Sequence, residues 1–151
     1  MIDIIKGAIE HLDDCVDALM NSDLGRHYFK SHDNTVLFLK EAIANNEIYV
    51  AIHDGKCVGF IYSIRGGIFK KFTYLHIIAV KENYRGQGIG KKLMSFFEDI
   101  AKKSADKAFL LVDSFNPDAK RLYESLGYVC VGTIPNLFEA ETTDYLMMKK
   151  L

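Results

Sequence analysis

No sign of charge dominates this chain. Lys and Arg number 19 against 20 Asp and Glu, a formal net charge of −1 over 151 residues. A surface without a basic stripe has little hold on a phosphate backbone, so nucleic acid is not an expected partner, although local basic patches stay open. Long apolar runs are missing as well. Nothing approaches the length of a membrane span, and the opening MIDIIKGAIEHLDDC carries acids where a secretion signal needs a basic start and an apolar core. The expectation is a soluble, cytoplasmic protein with no membrane partner. Cysteine is scarce too. Cys15, Cys57 and Cys130 are too far apart for a metal knuckle and odd in number for a disulfide framework, which points to reduced thiols and no metal. Internal repeats, low-complexity tracts and Pro/Ser-rich linkers are also lacking. What is present is apolar content of 49%, enough for a core, so a single domain over residues 1–151 is expected rather than disorder.

Periodicity sets the elements. Ile2, Ile4 and Ile5 mark a first strand, and Ile9, Leu12, Val16, Leu19 and Met20 recur at helical steps. The polar stretch NSDLGRHYFKSHD reads as a loop or short irregular helix. Asp33 or Asn34 then caps a helix that ends near Asn45 and Asn46. EIYVAIH and KCVGFIYSI are strands joined by Asp54-Gly55, a dipeptide suited to a tight type I′ turn. After Gly66-Gly67 the nearly apolar run TYLHIIAV reads as a central strand. A helix follows from Gly88 to about Ser104. KAFLLVD is the next strand, Asn116 and Pro117 open the next helix, and Gly127 closes it. YVCVGTI and DYLMMKKL finish the chain as strands around the loop PNLFEAETT.

The junction after TYLHIIAV carries RGQGIG, residues 85–90. The first turn of a helix has main-chain N–H groups without intrahelical partners, and the peptide dipoles add positive potential there. Glycines let a bulky phosphate approach those donors, and Arg85, Lys91 and Lys92 add charge. Two familiar phosphate motifs do not fit. A P-loop needs Lys followed by Ser or Thr, and Lys91 is followed by Lys92; a dinucleotide fingerprint would need its third glycine at position 91.

These residues resemble the GNAT superfamily of acetyl-CoA-dependent N-acetyltransferases. Arg85, Gly88 and Gly90 fall on the fixed positions of its R/Q-x-x-G-x-G/A loop. NPDAKRLYESLGYVCVG, residues 116–132, is similar to the family's second signature of asparagine, alanine, tyrosine and a glycine-aromatic pair. The resemblance implies an α+β (mixed α/β) fold, a seven-stranded, mostly antiparallel sheet splayed between strands 4 and 5 and flanked by about four helices. It implies acetyl-CoA as acyl donor, bound by the main chain of Ile78, Ala79 and Val80 along its pantetheine arm. Arg85, Gly86, Gln87, Gly88, Ile89, Gly90 and Lys91 would hold the pyrophosphate, with Asn116, Ala119 and Tyr123 nearby. Asn116 has a second expected role as helix N-cap.

The implied reaction is acetyl transfer to a primary amine by direct attack. An amine with a pKa of about 10.4 is protonated near neutral pH, so a proton must be removed. His76 shares a strand face with Ile78 and has a suitable unperturbed pKa near 6.5; it is also similar to a histidine of the serotonin N-acetyltransferase branch. A packed, hydrogen-bonded strand histidine is the competing role. Asp113 and Glu47 are reserves, since the glutamate of ribosomal-type N-terminal acetyltransferases is replaced by Leu111. Tyr123 is the expected acid for the coenzyme A sulfur, and the Ile78 N–H the donor to the thioester oxygen. Tyr28 and Phe138 are expected walls of the acceptor pocket. His11, His27, His32 and His53 read as surface residues, and Asp13, Asp14 and Asp17 as a charged helix face that would otherwise attract a cationic acceptor. Homodimer formation stays open, and so does a non-catalytic acyl-CoA sensor or interaction module with the same fold.

Overall fold

A computed structural model describes residues 1–151. Strands form at β1 (Ile2–Lys6), β2 (Ile48–His53), β3 (Lys56–Ile68), β4 (Phe72–Val80), β5 (Lys107–Asp113), β6 (Val129–Pro135) and β7 (Thr143–Lys150). Helices form at α1 (Leu12–Met20), α2 (Asp23–Tyr28), α3 (His32–Ala44), α4 (Ile89–Lys102) and α5 (Pro117–Ser125). The strands make one sheet in the order β1-β2-β3-β4-β5-β7-β6. β1–β2, β2–β3, β5–β7 and β6–β7 are antiparallel, whereas β4–β5 is parallel, with Thr73, Tyr74 and Leu75 paired to Ala108, Phe109 and Leu110. This is the expected seven-stranded fold, with five α-helices rather than four. No helix is long and apolar enough to cross a membrane.

The chain divides into two compact units, Met1–Ser63 with Ile77–Asp99, and Ile64–His76 with Ile100–Leu151. In the first, Cys15, Val16 and Leu19 of α1 and Leu39, Ala42 and Ile43 of α3 close over Ile48, Val50, Phe60, Ile77 and Ala79. Side chains alternate across a strand, so Tyr49 points the other way, and there its ring meets Phe96 of α4 at 4.9 Å. Helices thus cover both faces of β2. In the second unit, Phe72 meets Phe109 edge-on at 5.3 Å, and Tyr128 is 1% exposed beneath Lys149. β6 is exposed along nearly its whole length, including Val129, Val131 and Ile134. Its register with β7 jumps between Cys130 and Gly132, which makes Val131 the extra residue of a β-bulge.

Most local expectations hold. Asp54 and Gly55 take φ of 50° and 75°, as a type I′ turn requires. Three details differ. The first helix opens as a 3-10 turn over Ile9–His11, where the Ala8 N–H bonds to His11 Nδ1, before α1 begins. α3 is capped by Ser31, whose Oγ accepts from the Asn34 N–H at 3.2 Å, so Asp33 and Asn34 lie inside the helix. Gly66-Gly67 does not end a strand. β3 runs through both, and the reversal falls at Phe69 and Lys70, with φ of 55° and 56°.

Candidate active site

In the first unit, the site begins with the alternation of β4. Ile77 and Ala79 are buried, while Ile78 and Val80 stand half-buried on the other face. Past Val80 a 3-10 turn over Glu82–Tyr84 leads into the exposed residues 85–88. Gly86 and Gly88 have φ of 76° and 83°, a region that favours glycine, and a Cβ at position 86, 88 or 90 would meet no atom within 4 Å. The space over the loop is therefore open. Lys92 donates the first helical hydrogen bond of α4 to the Gly88 carbonyl, so the N–H groups of Ile89, Gly90 and Lys91 precede the helical ladder.

Arg85 anchors the loop it opens. Its Nε donates to the Val80 carbonyl at 3.1 Å and its NH2 nitrogen to the Asn21 carbonyl at 2.9 Å, which fastens the loop to the end of α1. The side chains of Ala79 and Ile89 lie in the core at 4% and 1% exposure, so only their main chain is available to a ligand. Gln87 and Lys91 are exposed. Tyr28 ends α2 with its ring edge-on to His27 at 4.6 Å. Glu47 raises the phenol pKa of Tyr62, behind burial as the larger cause. Asp14 is committed to Lys81 at 2.5 Å, whereas Asp13 and Asp17 border a cavity of about 360 Å³ with Asn21 and His32.

In the second unit, the turn from β5 into α5 is braced. Asp113 Oδ1 accepts from the Phe115 N–H at 3.2 Å, and Asn116 Oδ1 accepts from the Ala119 N–H at 3.2 Å, with Pro117 in the first turn. Asn116 is thus the expected N-cap. The far end of α5 closes on Gly127 at φ 99°: Gly127 N–H bonds to Glu124 and Tyr128 N–H to Tyr123, each at 3.0 Å. This is a Schellman motif, and its customary apolar contact is the Tyr123–Tyr128 ring pair at 6.1 Å. The glycine-aromatic pair of the sequence therefore seats Tyr123.

Burial pushes the Tyr123 phenol up to about 12. Tyr74 is also pushed up to about 12, by burial first and then by the charges of Asp144 and Tyr123, which places these three groups in one neighbourhood. The His76 ring lies 5.7 Å from that of Tyr74, and burial holds its pKa below 6.5. Asp144 faces Asp113 across β5 and β7, and burial, together with the charge and hydrogen bond of Asp113, pushes it up to about 6. Phe138, by contrast, is 62% exposed in the β6–β7 loop. Sequence reasoning passed over Tyr74 and Asp144. Only the non-local register of β4, β5 and β7 brings them here, although Tyr74 shares the alternation that selected His76.

The chain belongs to the Acetyltransferase (GNAT) family, whose model matches residues 14–128. It is 35% identical over 106 residues to 5-NmdU N-acetyltransferase of Pseudomonas phage PaMx11, covering 70% of this chain and 74% of that one. It is 30% identical over 115 residues to N-alpha-acetyltransferase RimI of Mycobacterium tuberculosis, covering 75% and 72%. Its fold matches that of the paia N-acetyltransferase of Thermoplasma acidophilum, solved in complex with coenzyme A. The TM-score is 0.76 at 21% identity, over 100% of this chain and 99% of that one.

Proposed function

We propose that this chain works over residues 1–151 as one acetyltransferase domain, moving an acetyl group from acetyl-CoA to a primary amine by direct attack in a ternary complex. The observation that carries this reading is the open space over Gly86, Gly88 and Gly90 at the start of α4, where a Cβ would meet nothing. A diphosphate fits such a cradle because main-chain donors and the helix dipole face it. Main-chain groups of residues 85–90, with Lys91, hold the pyrophosphate, and those of Ile78, Ala79 and Val80 pair with the pantetheine arm. Asn116 has an amide nitrogen to turn toward the same arm while its Oδ1 keeps the cap, with Ala119 and Tyr123 following on α5.

Acetyl-CoA supplies an activated thioester; the protein's part is to move protons and hold charge. His76, kept neutral by burial, takes the proton of the amine. The Ile78 N–H donates to the thioester oxygen as negative charge builds there. Tyr123 stays protonated at neutral pH and donates to the sulfur as the carbon–sulfur bond breaks. A phenol near 12 is a weaker acid than a thiol near 8.5, so its stabilising act is first a hydrogen bond. The proton follows as the thiolate, dried by the same surroundings, becomes the stronger base.

The acceptor is a small primary amine or the amino group of a peptide, with Tyr28 and Phe138 as pocket walls. In support of an amino-group acceptor, the relatives are named a 5-NmdU N-acetyltransferase and an N-alpha-acetyltransferase. The test is thiol release from acetyl-CoA across polyamines, amino acids, aminoglycosides, arylalkylamines and short peptides. Amine-dependent release is expected, reduced roughly 100-fold by Tyr123→Phe. Wild-type activity should fall on the acid side as His76 protonates, with a midpoint lower than that of an ordinary histidine because burial disfavours the charged ring, and His76→Gln should lose that limb. Cofactor binding without release for any amine would remove turnover from the reading and leave an acyl-CoA-binding domain.

A further inference from the structure

The cations of this nearly neutral chain are not spread evenly. Residues 64–72, 102–107 and 149–150, all in the second unit, carry eight of its 19 Lys and Arg but only one of its 20 Asp and Glu, which leaves 11 against 19 elsewhere. Strand register gathers them. Thr73 pairs with Ala108 and Lys107 with Lys150, so the start of β4, the start of β5 and the end of β7 lie side by side. Lys102 and Lys103, at the close of α4, lead into the same end. Lys107 and Lys150 face each other directly across β5 and β7, where like charges repel. The ring of Phe72 has the Lys71 ammonium at 5.3 Å and that of Lys107 at 5.7 Å. The single acid, Asp106, is engaged by Lys107 at 3.1 Å.

At the tip of the β3–β4 hairpin an apolar side chain stands among these cations. Phe69 is 84% exposed, between half-buried Ile68 and exposed Lys70 and Lys71. The Lys71 N–H closes a two-residue turn on the Ile68 carbonyl at 3.1 Å, with Phe69 and Lys70 both at positive φ. Asn and Gly suit such a turn, whereas a bulky aromatic residue there is strained in its backbone and leaves its ring in water. An exposed ring with a collar of lysines matches an anionic lipid interface, where the ring leaves water and the ammonium groups meet phosphates and carboxylates of the headgroups. Nucleic acid fits less well. Seven of the eight cations are lysines, point charges suited to a diffuse anionic surface, and the guanidinium fork that grips a phosphate or base edge bidentately occurs only at Arg65.

We propose that this end of the second unit docks on an anionic membrane surface, with Phe69 entering the headgroup region and Lys70, Lys71, Lys107 and Lys150 held against the charged headgroups. The contact is peripheral and calls for no spanning helix. The acid excess elsewhere in the chain is repelled by the same surface, so this end is the one presented to it. Docking of this kind is separate from acetyl transfer and is measured without acetyl-CoA.

The test uses the full chain, which has no tryptophan, so Phe69→Trp supplies a single fluorescent reporter at the tip. Mixed at low salt with vesicles of equimolar phosphatidylcholine and phosphatidylserine, this variant should sediment with the lipid, and its emission should shift to the blue as the indole leaves water. Vesicles of phosphatidylcholine alone should produce neither change. High salt should release the protein, because it screens the surface charge. Lys70→Gln combined with Lys71→Gln should weaken partition of the chain roughly 30-fold. Phe69→Asn should weaken it several-fold while unfolding in urea no earlier than the wild type, since Asn tolerates the positive φ, and this keeps a folding defect out of the result. Lys30→Gln combined with Lys40→Gln removes the same charge from the first unit and should leave partition unchanged. Failure of the wild-type chain to bind the anionic vesicles would overturn the proposal, and so would an equal loss on changing Lys30 and Lys40. Binding of a labelled oligothymidylate with quenched tryptophan emission, and no partition into lipid, would overturn it in favour of a single-stranded nucleic acid.

Discussion

Two turns in this molecule lead from a strand into a helix, and they treat the helix N-terminus in opposite ways. At α5 the donors are satisfied from within: Asn116 Oδ1 takes the Ala119 N–H, Asp113 takes the Phe115 N–H, and Pro117 has no N–H to satisfy. At α4 no side chain stands over the glycines, and the anchoring is moved away from the helix to Arg85 and the carbonyls of Val80 and Asn21. A closed turn holds a helix in place without a ligand. An open turn keeps its donors for a ligand and must be fastened from elsewhere.

The largest expected effect comes from filling the open turn. Gly88→Asp puts bulk and negative charge where a phosphate would sit, and titration calorimetry should show acetyl-CoA affinity down by roughly 100-fold or more. Unfolding should show a loss of only about 1 kcal/mol, because Asp tolerates the positive φ at this position. Unchanged affinity would end the distinction between the two turns.

Next comes the brace of the closed turn. Asp144 faces Asp113 and is pushed up to about 6 from an ordinary 3.8, so the folded chain keeps a proton that the unfolded chain releases more easily. Its contribution is fully present below about pH 4 and lost as pH rises through about 6. Urea unfolding of the wild type should therefore show stability falling by about 2 kcal/mol across that window. Asp144→Asn should flatten this dependence and be the more stable protein near pH 8; an identical profile in the variant would remove the pair from the account.

Asn116→Ala should cost about 1 kcal/mol as a lost cap. It also sharpens the comparison, because a pure cap leaves the KM for acetyl-CoA unchanged, whereas a residue that also meets the pantetheine arm raises it several-fold. The smallest effect is expected at Gly90. It has no positive φ and no atom within 4 Å of a Cβ, so Gly90→Ala should gain up to about 0.5 kcal/mol in helix stability and leave the KM nearly unchanged.

Local chemistry made much of this readable. Asp54-Gly55, Asn116-Pro117 and Gly127 each act through a neighbouring backbone conformation, so their sequence neighbourhood was enough to predict them. The resemblance in residues 85–90 and 116–132 predicted the sheet and its splay. What stayed hidden depends on distance along the chain or on competition between equivalent signals. Ser31, Asp33 and Asn34 are all able to cap α3, and nothing local selects Ser31. Gly67 reads as punctuation in the sequence, but a Cβ there would lie 2.8 Å from the Cβ of Tyr74, so it marks close strand approach. Phe69 is a poor signal for a residue at positive φ, and the reversal at that point went unseen. Tyr74, Asp113 and Asp144 meet through strand register, which no window of the sequence contains.

The bulge at Val131 bears on how the protein behaves when concentrated. β6 is an outer strand, and Val129, Val131 and Ile134 make it attractive to another extended chain. An incoming strand needs an unbroken repeat of donors and acceptors, and the extra residue interrupts that repeat and strengthens the local twist. An edge interrupted in this way is a poor template for an added strand.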